Sequence, residues 1–273
     1  MKDFPVSPGE IPAGLWRNRR LIRALTQREV AGRYRGSAMG IVWSFVNPAI
    51  MLVIYTVVFS VIFKSRWGGS TSGSKVEFAL ILFPGLIVFN LFAECFGRAP
   101  GLILSNVNYV KKVIFPLEIL PWVALGSALF HACISILVWL IAYLAFFGLP
   151  HPTFLLLPVV LLPLVLFVLG LMWSLSALGV YVRDISQFLG LITTCLMFMS
   201  PIFYSSDAFP ARFRFLLNLN PLSPAIEGIR DVLFWGKFPD LGLFFAYLLG
   251  CAFVAYIGFA WFQKTRKGFA DVL

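Results

Sequence analysis

The stretch FLLLPVVLLPLVLFVLGLMWSLSALGVYV, from Phe154 to Val182, decides the fold class of this protein because it contains no charged residue. A helix needs about 20 apolar residues to cross the roughly 30 Å hydrocarbon core of a bilayer. We therefore predict that 154–182 spans a membrane. Five more segments approach this length and composition, at 41–63, 78–97, 119–147, 186–204 and 241–262.

The composition of the whole chain also favours a membrane protein. Of its 273 residues, 60% are hydrophobic and 12% are charged, whereas a soluble domain carries about 25% charged residues. So few charges cannot cover a globule of 30.6 kDa. This excludes a soluble cytosolic protein.

The distribution of Lys and Arg predicts the orientation in the membrane. With the N-terminus placed inside, 15 of the 22 basic residues fall on the inner side and 7 on the outer side. Cytoplasmic loops carry the basic excess in membrane proteins, so both termini are predicted to be cytoplasmic. The same bias explains the net charge of +10. Because the basic residues form no single face along which a phosphate backbone would lie, nucleic acid is not an expected partner.

The N-terminal segment 1–36 is predicted to hold an amphipathic helix. In Leu15–Gly36, the apolar Leu15, Ile22 and Leu25 share one side of a helix and arginines surround them. Such a helix lies at the level of the lipid headgroups. The alternative is an ordinary basic flank of the first span.

The segment 205–240, between the fifth and sixth spans, is too apolar for a solvated loop and too interrupted to cross the membrane. Ser223 followed by Pro224 is typical of a capping residue and a first-turn proline. This pair predicts a helix from Pro224 to about Trp235 that ends at Gly236. Short apolar stretches favour re-entrant or interfacial helices. We expect two short helices that dip into the outer leaflet, separated near Asn220–Pro221.

The sequence lacks the motifs of nucleotide-binding and catalytic sites. It has no GxxxxGK[ST] loop, no GxSxG turn and no HExxH pair. Its four cysteines and two histidines are not spaced as metal ligands. We expect no catalytic residue, no cofactor and no metal ion on this chain, so another polypeptide must supply the energy for any uphill transport.

Glu94, near the end of the second span, is the strongest candidate for a charge inside the membrane. One reading is a gating carboxylate that faces the bundle interior. The favoured reading is an interfacial carboxylate paired with Arg98, one helical turn away. His131 in the third span is expected to hydrogen-bond another helix rather than to carry protons.

Two predicted spans have a face that mixes aromatic and hydroxyl-bearing side chains. Tyr55 and Phe59 lie on such a face of the first span, and Phe198 and Tyr204 on that of the fifth. Sugars stack on aromatic rings while their hydroxyls form hydrogen bonds, so these faces suit a passage for a sugar polymer. Helix packing through small polar residues explains them equally well.

The loop Ser105–Glu118 between the second and third spans is short and basic at Lys111 and Lys112. It predicts a small cytoplasmic helix. A peripheral partner docks there, or the loop is a solvated connector.

Four motifs occur together in the chain: LTQREVAGRYRGSAMGIVWSFVNP (Leu25–Pro48), VRDI (Val182–Ile185), SPIFY (Ser200–Tyr204) and LNPLSPAIEGIRD (Leu219–Asp231). In this order and spacing, over residues from about 20 to 262, the chain resembles the membrane subunits of ABC type-2 exporters. The resemblance is to the branch that exports polysaccharides such as O-antigen, capsule and teichoic acid.

The resemblance implies an all-α integral membrane protein with six transmembrane helices and two re-entrant helices. Its parts would be a cytoplasmic segment with the interface helix (1–36), the transmembrane domain (37–263) and a short cytoplasmic tail (264–273). Residues 207–235 would form gate helices at the outer mouth. Spans one and five would line the channel through Tyr55, Phe59, Phe198 and Tyr204.

The resemblance also implies the partners. The working transporter would be a homodimer in the bacterial cytoplasmic (inner) membrane, with two copies of an ATPase subunit that binds ATP and Mg. A coupling helix in Asn106–Glu118 would sit in a groove of the ATPase, with contacts from Asn108, Tyr109, Lys111 and Lys112.

The substrate implied is a polysaccharide, with O-antigen as the expected polymer, carried on undecaprenyl diphosphate. Basic side chains near the inner leaflet attract a lipid diphosphate, which makes candidates of Arg28, Arg33 and Arg35. Two other functions stay open: a small-molecule exporter of the same superfamily, and a membrane transferase that acts on lipid-linked sugars. The transferase would need a constellation of carboxylates or histidines at one membrane face.

Overall fold

The computed structural model describes residues 5–62, 75–111, 115–206, 212 and 214–273. Within these ranges every regular element is a helix. In chain order the α-helices are α1 (Glu10–Arg17), α2 (Arg19–Arg33), α3 (Trp43–Thr56), α4 (Lys75–Arg98), α5 (Gly101–Leu104), α6 (Val107–Lys111), α7 (Leu120–Phe147), α8 (Leu157–Tyr181), α9 (Ile185–Met199), α10 (Arg214–Leu219), α11 (Ser223–Arg230), α12 (Leu241–Thr265) and α13 (Phe269–Val272). A π-helical stretch extends α3 (Val57–Ile62) and another extends α11 (Asp231–Trp235).

Five stretches of the described chain are long and apolar enough to cross a membrane: Gly40–Phe59, Val76–Arg98, Leu117–Phe147, Pro152–Tyr181 and Leu241–Val272. They confirm five of the six predicted spans. The fifth predicted span, 186–204, is the exception. Its helix α9 has only 15 residues, which gives a length of about 22 Å at 1.5 Å per residue. The crossing by α9 therefore stays a prediction.

Helix α4 is the centre of the bundle, since 83% of its most apolar 18-residue stretch is buried inside the protein. Pro84 interrupts its hydrogen-bond ladder, because proline has no N–H to donate to the carbonyl of Leu80. The indole Nε1 of Trp139 on α7 donates to that carbonyl at 2.8 Å. The proline thus frees an acceptor that α7 uses to bind α4.

Helices α8 and α12 pack backbone against backbone. A Cβ atom built at Gly258 would lie 2.0 Å from the carbonyl oxygen of Gly170. No side chain fits between the two helices at this crossing, so both glycines are required for it.

One end of the bundle, here called the basic end, carries α1, α2, α6 and α13. Arg266 Nη1 lies 2.6 Å from Glu118 Oε2, and Arg266 Nη2 donates to the carbonyl of Phe115 at 2.9 Å. Lys111 Nζ donates to the carbonyl of Leu273. The first and last described helices therefore lie at the same end, which agrees with an even number of crossings.

The N-terminal segment differs from the single amphipathic helix predicted over 15–36. It forms two helices, α1 and α2, which meet at Asn18. The predicted apolar stripe exists, but Ile22 packs against Ile119 and Val123 at the start of α7. Thr26 Oγ1 also donates to the Val123 carbonyl, at 3.4 Å. This stripe contacts protein, because the folded bundle provides an apolar surface beside it.

The opposite end, here called the distal end, carries α10 and α11. The two helices are separated at 220–222, as the prediction near Asn220–Pro221 required. The π-helical extension of α11 ends at Gly236, whose φ of 64° favours glycine. The start differs by one residue, since Leu222 takes the capping position assigned to Ser223. Insertion of these helices into a leaflet stays a prediction, and residues 207–211 and 213 of the predicted gate lie outside the described residues.

Candidate functional site

A cavity of about 460 Å³ lies at the basic end. Its wall is built from α2, the turn between α4 and α5, the segment that leads into α6, and the first turns of α7 and α9. The polar side chains that line it are Arg28, Glu29, Arg98, Ser105, Asn106, Tyr109 and Ser186. The cavity therefore connects the predicted interface helix, the predicted coupling segment and the start of α9.

Beside the cavity, Glu94 of α4 is paired with side chains of three helices. It accepts a hydrogen bond from Arg33 of α2, and its carboxylate lies 3.6 Å from Arg98 Nη1 and 3.5 Å from His131 Nδ1. The predicted Glu94–Arg98 pair is confirmed. The contacts of Glu94 with α2 and α7 are additional, and they depend on the packing of distant segments.

His131 connects α7 to the end of α2. Its Nδ1 lies 3.1 Å from Arg33 Nη1, and its Nε2 lies 3.0 Å from the hydroxyl of Tyr34. The expectation that His131 hydrogen-bonds another element is confirmed. Burial raises the pKa of the Tyr34 phenol, which keeps this hydroxyl neutral near pH 7.

A second ion pair joins α2 to α4. Arg98 Nη2 lies 2.5 Å from Glu29 Oε1, so one guanidinium bridges a carboxylate of each helix. The described chain offers no hydrogen-bond acceptor to the buried Nη1 of Arg98. We call Glu29, Arg33, Glu94, Arg98 and His131 the ion network. Its two arginines and two glutamates balance in charge.

The three arginines predicted to attract a diphosphate occupy different positions. Arg28 lines the cavity, Arg33 belongs to the ion network, and Arg35 is exposed beyond the end of α2. Among the residues that line the cavity, the sequence reasoning missed Glu29 and did not assign Arg98 to it. The spacing of Glu29 and Arg33 by one helical turn is the signal that indicates a shared charged face.

The predicted coupling segment contains the short helix α6. Asn108 and Lys111 are exposed on it, whereas Tyr109 lines the cavity and stacks on Phe115 with ring centroids 4.3 Å apart. Lys112 lies outside the described residues. Contact of Asn108 and Lys111 with an ATPase stays a prediction, and Lys111 also donates to the carbonyl of Leu273 within the chain.

The four predicted channel-lining residues include two contacting pairs, and the ring centroids of Tyr55 and Phe59 lie 6.4 Å apart. Phe59 stacks on Phe78 of α4 at 5.3 Å and on Phe203 at 5.9 Å, between ring centroids, and Tyr55 is half-buried. Phe198 is 63% exposed on α9. The hydroxyl of Tyr204 donates to the Phe198 carbonyl at 3.2 Å. Their role along a passage stays a prediction.

The outward faces of α3 and α9 are apolar and exposed in the single chain. Large side chains exposed by 60% or more on these two helices are Val53, Phe188, Leu191 and Phe198. In the span Gly40–Phe59, which contains α3, only 11% of the most apolar 18-residue stretch is buried. These helices are poorly covered by the rest of the chain that the structure describes.

Arg230, which sequence reasoning did not single out, lies buried at the distal end. Its guanidinium donates to the carbonyls of Ile81 on α4 at 2.9 Å, of Pro201 at 2.5 Å and of Ile202 at 2.6 Å. Burial lowers the pKa of Arg230 to about 9, so it is still a cation near pH 7. An arginine inside an apolar segment is the signal that marks such a residue.

The chain was compared with known proteins. The ABC-2 type transporter family matches residues 20–234. The O-antigen export system permease protein RfbA of Klebsiella pneumoniae is 26% identical over 255 residues, which cover 93% of this chain and 95% of that protein. The protein of the same name from Myxococcus xanthus is 26% identical over 259 residues, which cover 94% of this chain and 96% of that protein.

Proposed function

Because this chain belongs to the ABC-2 type transporter family, we propose that it is the transmembrane subunit of an exporter of lipid-linked polysaccharide, with O-antigen as the polymer. The observation that carries the proposal is the similarity over nearly the whole length to permeases named for O-antigen export. ATP is hydrolysed on a separate subunit of such a transporter, so this chain forms the passage for the polymer and does not hydrolyse ATP.

The basic end faces the cytoplasm in this proposal. Its excess of Lys and Arg supports that orientation. The membrane is the bacterial inner membrane, and the substrate is a polymer on undecaprenyl diphosphate. The cavity is the place where the diphosphate binds, since Arg28 and Arg98 line it and guanidinium groups form paired hydrogen bonds with phosphate.

Two copies of the chain form the path of the polymer. The exposed apolar faces of α3 and α9 support this part of the proposal, because contiguous exposed apolar surface marks protein interfaces or binding grooves as well as lipid contact. Tyr55 and Phe198 on these helices present rings to the sugar chain. Phe59 and Tyr204 lie beside them and shape the outer part of the same wall.

Two ATPase subunits dock at α6. Exposed Asn108 and Lys111 on this helix, with Lys112 next to it, make the contact. The proximity of α6 to the cavity supports this assignment, because Tyr109 belongs to both. A ligand in the cavity and an ATPase on the outside of α6 would then act on the same short helix.

The test is reconstitution of the chain with its ATPase subunit in liposomes loaded with extracted lipid-linked glycan. We expect glycan to become accessible to a lectin or an added glycosidase on the opposite side only when ATP is supplied. Liposomes with an ATPase subunit that cannot hydrolyse ATP are the control. Transport of small amphipathic molecules without any movement of glycan would contradict the proposal and favour the small-molecule exporter.

A further inference from the structure

We propose that the Glu29–Arg98 bridge is a lock that the substrate opens: a diphosphate group that binds in the cavity replaces Glu29 on Arg98 and so removes one of the ion pairs between α2 and α4. The inference rests on the proposed function, because it assigns a regulatory step to the same site. The ligand class is a diphosphate diester, with a polyprenyl chain on one phosphate and a sugar on the other.

The first observation is the position of Arg98 in the cavity wall. Its guanidinium is held by Glu29 of α2 at 2.5 Å and lies 3.6 Å from Glu94 of its own helix. Its buried Nη1 has no acceptor within hydrogen-bond distance among the described residues, although it forms an ion pair with the Glu94 carboxylate at 3.6 Å. Such an N–H is only partly compensated for the hydration that it loses on burial. An anion in the cavity would supply the acceptor.

The second observation is the set of charges that an anion meets there. Arg28 and Arg98 line the cavity, and Glu29, which pairs with Arg98, is the acidic side chain in the same wall. A diphosphate offers more negative charge and more acceptor oxygens than a carboxylate, and it accepts paired hydrogen bonds from guanidinium groups. Glu29 is therefore the group with which the ligand competes.

The bridge is weak enough to be exchanged. The side chains of Arg98 and Glu29 are 33% and 27% exposed, and partly exposed ion pairs contribute little net stability. The contacts of α2 with α7 do not involve Arg98, since Thr26 and Ile22 pack against the start of α7. Loss of the bridge thus weakens the attachment of α2 to α4, which the Arg33–Glu94 pair still joins, while α2 stays packed on α7.

The cavity also connects the replacement of Glu29 on Arg98 with the segment where the ATPase is proposed to dock. Asn106 and Tyr109, which lead into and form α6, line the same space as Arg98. Asn106 Nδ2 donates to the carbonyl of Leu102 at 2.9 Å, which fixes this segment to the turn that follows α4. A ligand that replaces Glu29 on Arg98 therefore also contacts the segment where the ATPase docks in the proposed function.

The experiment measures diphosphate binding and ATPase activity on the full chain in complex with its ATPase subunit, in nanodiscs. The probes are undecaprenyl diphosphate in the bilayer and inorganic diphosphate in solution. The variants are Glu29→Gln, which removes the competitor but no cation, and Arg98→Gln, which removes the cation. Glu10→Gln is the matched control, because Glu10 pairs with Arg17 at 3.5 Å on α1 and does not line the cavity.

We expect Glu29→Gln to bind undecaprenyl diphosphate about threefold more tightly, as loss of a partly exposed competing pair implies. Its ATPase activity without substrate should rise towards the substrate-stimulated level of the wild type. Arg98→Gln should bind about tenfold more weakly, and Glu10→Gln should match the wild type. If Glu29 had a purely structural role, the Glu29→Gln variant would bind undecaprenyl diphosphate more weakly than the wild type.

Unchanged or weaker binding by Glu29→Gln, in a complex that still exports glycan, would overturn the lock and leave the proposed function standing. A wild-type complex that neither binds undecaprenyl diphosphate nor exports glycan would remove the proposed function itself. Inorganic diphosphate should bind the wild type and the variants in the same order of affinity, but more weakly than undecaprenyl diphosphate binds each of them. Equal affinity for both probes would assign the cavity to a soluble diphosphate and not to the substrate's headgroup.

Discussion

Asn220 and Ser200 are joined by a buried hydrogen bond in which Asn220 Nδ2 donates to Ser200 Oγ at 2.8 Å. Asn220 Oδ1 also accepts from the backbone N–H of Leu222 at 3.0 Å. One asparagine thereby fixes the turn before α11 and binds it to the end of α9. Two of the motifs on which the family resemblance rests, SPIFY and LNPLSPAIEGIRD, are thus in direct contact.

Replacement of Asn220 by leucine should destabilise the distal end. The change keeps the volume similar but leaves the buried Ser200 hydroxyl without its donor and removes the acceptor for the Leu222 N–H. We expect a loss of about 1–3 kcal/mol, measured as a lower Tm of the purified protein in detergent. Ser200→Ala should cost less, and the double variant should be less destabilised than the sum of the two single changes. Additive effects would show that the bond does not contribute.

Arg230→Lys should be destabilising although it keeps the positive charge. A lysine has one ammonium group and cannot donate at once to Ile81 on α4 and to Pro201 and Ile202 after α9. We expect a loss of about 3 kcal/mol or more, as for breaking other buried charged networks. Thermal unfolding and the yield of inserted protein are the measurements. Lys237→Met, an exposed cation that follows α11, is the control and should leave both unchanged.

The purified chain alone should neither bind nor hydrolyse ATP, because its sequence has no phosphate-binding loop. Photolabelling with azido-ATP should give no stoichiometric product until the ATPase subunit is added. Saturable labelling of this chain by itself would contradict the expectation.

Exchange of Lys111 and Lys112 for glutamate should weaken the complex with the ATPase or uncouple hydrolysis from export. At Lys111 the reversal of charge acts on the exposed side of α6, so insertion of the chain should not change. Co-purification and glycan export are the measurements, and Lys237→Glu at the distal end is the control for a single charge reversal away from α6. Normal export by the doubly exchanged protein would show that the loop is only a connector.

Leucine at both Tyr55 and Phe198 should reduce export and preserve the basal ATPase activity of the complex. Stacking on sugars requires a ring, whereas leucine keeps an apolar side chain at these half-buried and exposed positions. Phe59 is the poorer choice for this test, because its ring packs between Phe78 and Phe203. Phe146→Leu, on an aromatic that is 63% exposed on α7, is the control. Export equal to the wild type at equal expression would assign these faces to packing or lipid.

The sequence alone predicted the helical class, five of the spans and the turn between α10 and α11. Each of these depends on local properties. Apolar length determines which segments can cross a bilayer, and Gly236 stops a helix wherever that helix lies. The predicted fifth span, 186–204, is longer than its helix. Helix α9 ends before Ser200 and Pro201 and has only 15 residues, and apolar length alone does not show where a helix ends.

Only the tertiary structure decided which charged and polar groups meet. Arg98 pairs with Glu29, 69 positions away, Arg230 reaches a carbonyl 149 positions away on α4, and the stripe at Ile22 packs on the start of α7. Composition and periodicity give a helix its polar and apolar faces. They do not specify which other helix covers a face, since that depends on how all segments pack together and on the burial of polar groups that must find partners.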